Sequence, residues 1–354
     1  VIHCFDNFIG FGLSSLSFQQ ARLSTKFGGI GLRASTTHSA TPYISFFFMS
    51  KSLVASFMSQ RVPNRHITDA ISRFNSLVHT DHCLVSSSCP SSQQDLSHHI
   101  DSECFNKLQV ESNSLNKARL LARSMPHANA WMRALPSQQN NFSCLEWPIC
   151  MKRWLGMPIF NQDHLCSACH MHSMDVFGHH ASVCPTKGDR IRRHNVLRDI
   201  IYDFCSIASW GPKKETPHIF PSSSERPADI FAPNYSLGKD LVLDVAVTCP
   251  LQHKYYHSAA QSAGFACNTY ADEVKIKNYK ERAENEGCTY LPAVFESFGG
   301  FSQDVPDFLF KLSKGMSLRL NESKSTITKY MYENLSCALM KSIARCISSR
   351  FPDC

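Results

Sequence analysis

The chain has no run of about 18 uncharged apolar residues, the length a membrane-spanning helix requires. Its richest apolar stretch, Tyr43 to Met58, is interrupted by Lys51 and diluted with serines. No membrane partner is therefore expected. The first residues, starting at Val1, lack the basic-then-apolar order of a secretory signal, and we read the chain as a fragment of something longer. The glycine cluster Gly28-Gly29-Ile30-Gly31-Leu32-Arg33 lacks the spacing of either phosphate-cradling glycine loop, so it reads as a turn rather than a nucleotide site. Acidic residues are the minority charge, 29 against 36 Lys and Arg, for a net charge of +7. That balance fits a polyanionic partner without demanding one.

The 354 residues are 43% hydrophobic, enough for two or three modest domains with their own cores. Sixteen cysteines are scattered along the chain, and only Cys166, Cys169 and Cys184 form a tight group alongside histidines. This is the pattern of a reducing, intracellular compartment with one metal site rather than a disulfide framework. Cys205 and Cys267 read as small buried hydrophobes. His79, His82, Cys83, Cys89, His98, His99 and Cys104 lack a Cys-x-x-Cys anchor and read as scattered surface residues.

Five regions follow from composition and periodicity. Residues 1–60 carry short apolar runs, and residues 61–158 are a helical and linker region that reads as loosely packed from Arg61 to Phe142, with helical patches at Leu115 to Arg123 and Ala128 to Leu135. Residues 159–187 hold the Cys/His group. Residues 188–312 are the most strongly patterned: a helix over Arg190 to Ile207 with Leu197, Ile200, Ile201 and Phe204 on one face, and a strand around His218 to Phe220. Strands at Ala228 to Ala232 and Leu241 to Thr248 follow, joined by a turn containing Pro233, Asn234 and Gly238. A charged helix over Ala271 to Glu286 and a last strand over Tyr290 to Phe298 complete the region. The order is helix, three strands, helix, strand, an α/β arrangement. Residues 313–354 are helical, with Met331, Leu335, Leu339 and Ile343 on one stripe from Ser325 to Ser348.

Cys166 and Cys169 are separated by two residues, so one turn can present both thiolates to one ion, and Cys184 with His180 or His179 completes a tetrahedral set. The spacing is Cys-x2-Cys-x10-His-x3-Cys with His180 and x9, x4 with His179; both are feasible. Four protein ligands leave no open position, so a Zn2+ held there is structural.

Leu241-Val242-Leu243-Asp244-Val245-Ala246-Val247 is apolar at every position but one, as expected of a strand covered on both faces. A carboxylate in its middle must be neutralised, paired or bound to metal. Asp229 lies on the preceding strand, so a hairpin can bring the two together, and paired carboxylates suit Mg2+, which keeps positions for water and phosphate. Lys275 and Lys277, opening the next helix, can orient a water or offset charge. An ion pair of Asp244 with Arg226 or a helix arginine remains the structural alternative. Tyr270-Ala271-Asp272-Glu273 looks like a polymerase acidic box but opens a helix and has no upstream acidic strand.

Arg226-Pro227-Ala228-Asp229, Leu243-Asp244-Val245-Ala246-Val247-Thr248, Pro250-Leu251-Gln252, Lys275 with Tyr279, and Phe295-Glu296-Ser297-Phe298-Gly299-Gly300 together resemble the restriction-like endonuclease of non-LTR retrotransposons. Upstream, Gly178-His179-His180-Ala181, Cys184 and Arg193-His194-Asn195-x-Leu197 resemble the zinc knuckle and first helix that precede that nuclease. The resemblance implies a PD-(D/E)xK core, Asp229 and Asp244 as metal-binding aspartates, and Lys275 as the lysine four positions before the Tyr. It favours His180 as the zinc ligand, with His179 in the place of the family's Asp. Gln20-Ala21-Arg22-Leu23 with Gly28 to Arg33 is similar to the region following the palm of the same elements' reverse transcriptases, whose palm is absent here. The implied activity is a Mg2+-dependent nick in target DNA whose 3′ hydroxyl primes reverse transcription, in the nucleus, with DNA as substrate and element RNA as a further partner. The other expectation is a non-catalytic nucleic-acid-binding remnant. Arg190, Arg193 and His194 open the helix after the knuckle and are expected at the nucleic acid, His194 on the face shared with Leu197 and Ile201. Glu296 is not assigned as a ligand.

Overall fold

The computed structural model describes residues 12–57, 65–85, 92–217, 219–220, 228–236 and 238–351, apart from the side chain of Ala55. The readings that involve Cys89, His218, Arg226 and Pro227 lie outside those residues. The described residues form two compact units, Leu13–Asn113 and a second beginning at Ser114. The boundary falls inside the region 61–158 that composition alone groups together. Among the described residues no helix is long and apolar enough to cross a membrane.

The first unit is helical: α1 (Ser15–Arg22), α2 (Ala40–Phe57), α3 (Arg65–Asn75) and α4 (Gln93–Glu111). Ile44, Ile67, Ile71, Phe74, Leu96 and Ile100 are its core. The glycine cluster after α1 is a turn, with Gly28 and Gly31 at φ 75° and 77°. A Cβ on Gly29 would stand 2.0 Å from the Leu23 carbonyl oxygen, so the close return of the chain requires glycine there. His82 and His99 stack with ring centroids 4.0 Å apart, and Asp101 takes Arg33 at 2.7 Å and His38 at 3.3 Å.

The second unit is mixed α/β. It contains α5 (Ser114–Ser124), α6 (Glu146–Leu155), the two-residue strands β1 (His164–Leu165) and β2 (Ser173–Met174), and α7 (Asp189–Ile207). There follow β3 (Lys213–Lys214), β4 (Ile230–Ser236), β5 (Lys239–Thr248), a π-helical turn Tyr270–Ile276, α8 (Lys277–Asn285), β6 (Cys288–Glu296), α9 (Val305–Leu320) and α10 (Lys324–Ser348). The sheet order is β3-β4-β5-β6; the first two pairings are antiparallel and β5-β6 is parallel. Leu241 to Ala246 are all buried, which explains the near-continuous apolar run of β5. α10 turns Met331, Leu335, Leu339 and Ile343 inward, all at 4% exposure or less.

Four expectations change. The first strand is Lys213–Lys214, paired with Phe231 and Ile230, whereas Ile219 and Phe220 are in bends. Phe220 instead plugs the core against Ala228, Val242 and Ala283, and two exposed lysines form the edge, where charge discourages further strand pairing. Pro233 and Asn234 lie inside β4 at a register shift between Ala232 and Ser236, not in the turn; Asn234 takes φ 53° and its N–H donates to Asp240 Oδ1 at 2.8 Å. The helix expected over Ala271 to Glu286 begins as the π turn. The stretch 114–133 is packed rather than loose: Ala118, Leu120, Ala122 and Trp131 are buried and Arg123 lies 4.8 Å from the Phe298 ring centre, beside Arg153 at 3.6 Å, which donates to Ser297 O and Oγ at 2.9 and 3.0 Å.

Candidate metal centres

β1 and β2 form a minimal hairpin whose turn carries Cys166 and Cys169. Cys166 N–H donates to His172 O, and His170 N–H folds back onto Cys166 O, each at 2.9 Å. His180 and Cys184 are one helical turn apart, with Cys184 N–H donating to His180 O at 2.9 Å, so their side chains share a face. The ligand atoms of Cys166, Cys169, His180 and Cys184 all lie within 4.8 Å of one another, and Cys169 Sγ is 3.3 Å from His180 Nε2. His179 turns away: its Nδ1 pairs with Asp175 at 3.2 Å. Three thiols and one imidazole at this separation are a donor set that could bind zinc.

The knuckle is fixed to its surroundings by a residue with no local motif. Arg350, fully buried just beyond α10, meets the knuckle through its carbonyl at His164 Nε2, 3.3 Å, and its guanidinium at Thr186 O, 3.5 Å, and donates to Asp189 Oδ2 at 2.6 Å. Gly178, at φ 70°, packs where a Cβ would stand 3.3 Å from both Ile347 and Phe160. Arg193 is 4% exposed and donates to Ser182 O at 3.0 Å, tying α7 to the knuckle, and it also borders the cavity that holds His194.

The second centre is a cavity of about 550 Å³ beside the middle of β5, bordered by Asp229, Asp244, His194, Lys275, Arg190 and Pro185, the last following the knuckle's Cys184 directly. Asp229 ends the segment that enters β4, and its Oδ2 accepts His194 Nε2 at 2.9 Å and the Val245 N–H at 2.6 Å. Burial opposes its charge, but the His194 hydrogen bond and charge outweigh that, and its pKa is lowered. His194 is correspondingly raised, first by its hydrogen bond to Asp229. Asp244, 8% exposed, accepts Lys275 Nζ on Oδ1 at 3.0 Å and on Oδ2 at 2.7 Å, while Tyr290 donates its hydroxyl to Oδ2 at 2.8 Å. Burial raises the pKa of Asp244, opposed by Lys275 and reinforced by Asp229. The ion-pair alternative for Asp244 is thus met by Lys275, not by an arginine of α7.

Of the two lysines the π turn settles which one reaches inward. Lys275 is half-buried against Asp244, whereas Lys277 opens α8 exposed and does not border the cavity. Arg190 is exposed at the rim. Asp272 and Glu273 are exposed on the same turn. Glu296 is fully buried with its Oε1 accepting the Cys267 N–H at 3.2 Å; burial lifts its pKa to about 7. Sequence inspection misses Tyr290, because its relation to Asp244 depends on the register of two strands separated by a helix. Compared with known proteins, the chain matches no family model and no curated protein, so a functional assignment rests on these two constellations.

Proposed function

We propose that the second unit is a metal-dependent DNA endonuclease stabilised by a structural zinc knuckle, with the PD-(D/E)xK architecture and the non-LTR retrotransposon origin that its motifs imply. The observation that carries the reading is that Asp229, Asp244 and Lys275 border one open cavity, with the exposed Arg190 at its rim. Two partly buried carboxylates are hard oxygen donors suited to Mg2+. Bound there, Mg2+ supplies a water of lowered pKa and neutralises charge that develops on a phosphodiester. Asp229 is kept ionised by His194 and the Val245 amide, ready to accept a cation. Lys275 lies where its ammonium can orient an attacking water and offset charge on the scissile phosphate, and Arg190 can meet the flanking backbone phosphate from the rim. Hydrolysis then needs no covalent intermediate. The biological setting this reading supposes is the nucleus, where a nick in target DNA primes copying of element RNA.

One observation favours a second reading. Lys275 already neutralises Asp244 at 2.7 Å, as it would in a structural ion pair of a non-catalytic, nucleic-acid-binding remnant. Nicking of supercoiled plasmid with Mg2+ or Mn2+ separates the two. Asp244→Ala is expected to abolish nicking, by about 10³-fold or more if metal stabilisation amounts to several kcal/mol, with DNA affinity retained. Equal nicking by that variant sinks the nuclease reading; DNA binding without nicking by the unsubstituted chain establishes the second one.

A further inference from the structure

We propose that Tyr290 is a positioning residue for the metal centre: its hydroxyl, with Lys275, fixes the orientation of the Asp244 carboxylate at the cavity. The inference rests on the nuclease reading for the identity of the ion but is built on this geometry alone. The Oδ2 atoms of both aspartates are taken by protein donors, from His194 and Val245 on Asp229 and from Lys275 and Tyr290 on Asp244. Asp244 Oδ1 accepts Lys275 as well, at 3.0 Å, so the lysine and the phenol together hold that carboxylate from both oxygens. A carboxylate held in this way cannot rotate freely about its last bond, so a cation meets acceptors of fixed orientation and loses little to reorganisation.

The register of the sheet explains why a tyrosine does this. In the parallel pair β5-β6, Val242 lies opposite Tyr290 and Asp244 opposite Pro292. Pro292 has no donor to offer, so the hydrogen bond to Asp244 must come from a diagonal neighbour on the same face, two residues back along β6. A serine or asparagine there is too short. Tyrosine spans the gap, and its ring is bound into the core with Val242, Ala228, Ala283 and Tyr279 while only its oxygen reaches the carboxylate. Phenylalanine at the same position keeps the packing and removes only that donor.

The test uses the full zinc-loaded chain and Mn2+ as probe, followed by isothermal titration and by the decrease of the free Mn2+ electron-spin resonance signal. Asp244→Ala serves as the background. Tyr290→Phe is expected to weaken Mn2+ binding above that background by about 10-fold or more, the usual consequence of losing an outer hydrogen-bond partner of a metal ligand. Its thermal unfolding should stay near that of the unsubstituted chain, because the ring remains. In the nicking assay the Mn2+ concentration for half-maximal rate should rise by the same factor, with the rate at saturating Mn2+ changed no more than about twofold, as expected when uniform binding is lost. Equal or tighter Mn2+ binding by Tyr290→Phe overturns the proposal and leaves the nuclease reading intact. Weaker binding in a chain that never nicks supports the proposal and sinks the nuclease. If the unsubstituted chain binds Mn2+ no better than Asp244→Ala, both fall.

Discussion

The knuckle and the carboxylate cavity share one unit and draw on opposite chemistry. The knuckle offers three soft thiols and an imidazole, with Cys166 and Cys184 fully buried and all four ligand atoms within 4.8 Å. A cation of matching softness bound there would be enclosed and would add directly to folding. The cavity offers hard oxygens, open on one side, and its charges work against burial: Asp244 is desolvated, and Lys275 is needed to hold it. On the proposed nuclease reading, a cation there would serve a reaction rather than the fold. The contrast teaches that one centre should be read by what its loss does to stability, and the other by what its loss does to chemistry.

The largest expected effect comes from breaking the stable side. Cys184→Ser, or prolonged chelation, should remove about one zinc per chain and lower the thermal midpoint by about 10 °C or more. Zinc-finger peptides gain on the order of 10–16 kcal/mol from zinc, and losing a fraction of that shifts a unit of this size by a few degrees per kcal/mol. Metal content by emission spectroscopy and thermal unfolding by circular dichroism check it. A variant that keeps its zinc and its midpoint would erase the contrast. Because Pro185 borders the cavity directly after Cys184 and Arg193 ties α7 to Ser182, loss of zinc should also weaken Mn2+ binding in the cavity.

These two centres also differ in how much of them can be read in the chain. The knuckle's donors fall between Cys166 and Cys184, and their spacing follows from the geometry of a single turn and a single helical step; only the choice between His179 and His180 needs the fold, which turns His179 onto Asp175. The cavity gathers His194, Asp229, Asp244 and Lys275 from a helix, the segment entering β4, β5 and a π turn, and Tyr290 reaches Asp244 from a last strand. The unpaired charge in the apolar run of β5 marks Asp244, since burial makes a lone carboxylate conspicuous. Nothing local marks Tyr290, whose role depends on strand register, or Arg350, whose partner Asp189 lies far along the chain. Helix periods survived well because they are local, as Lys324–Ser348 shows. The strand expected near Phe220 failed because burial of an aromatic does not require ladder pairing, and the edge went to Lys213 and Lys214.

A smaller effect sharpens the same contrast from within the sheet. Glu296 is a buried carboxyl like Asp244, but its Oε2 has no partner among the described residues and no lysine is positioned against it there. Its pKa of about 7 lies above the 4.5 of an exposed glutamate. A raised acid stabilises the folded state while protonated, so this contribution is complete below about pH 4.5, fades as pH rises to about 7 and is absent above it. Glu296→Gln cannot ionise. Its stability relative to the unsubstituted chain should therefore improve by about 3 kcal/mol between pH 4 and pH 8, measured by urea unfolding at both. A difference that does not move with pH would mean that Glu296 has a cation or water network compensating its charge, and is closer to Asp244 than the contrast allows.

The smallest effect distinguishes the two lysines that the spacing left open. Lys275 stands 2.7 Å from Asp244 because the π turn adds a residue to the helical step and rotates that side chain onto β5. Lys277, two residues on, begins the regular helix and faces solvent. Lys275→Ala should slow nicking at saturating Mn2+ by about 30-fold, corresponding to about 2 kcal/mol of lost charge stabilisation, whereas Lys277→Ala should stay within about twofold. Single-turnover nicking reads both. If Lys277→Ala is the slower variant, the helix must rewind into a regular α turn when DNA binds, exchanging Lys275 for Lys277 at the phosphate. The π turn would then be a feature of the free protein only, and Asp244 would be released from its ion pair at the moment a metal ion needs it.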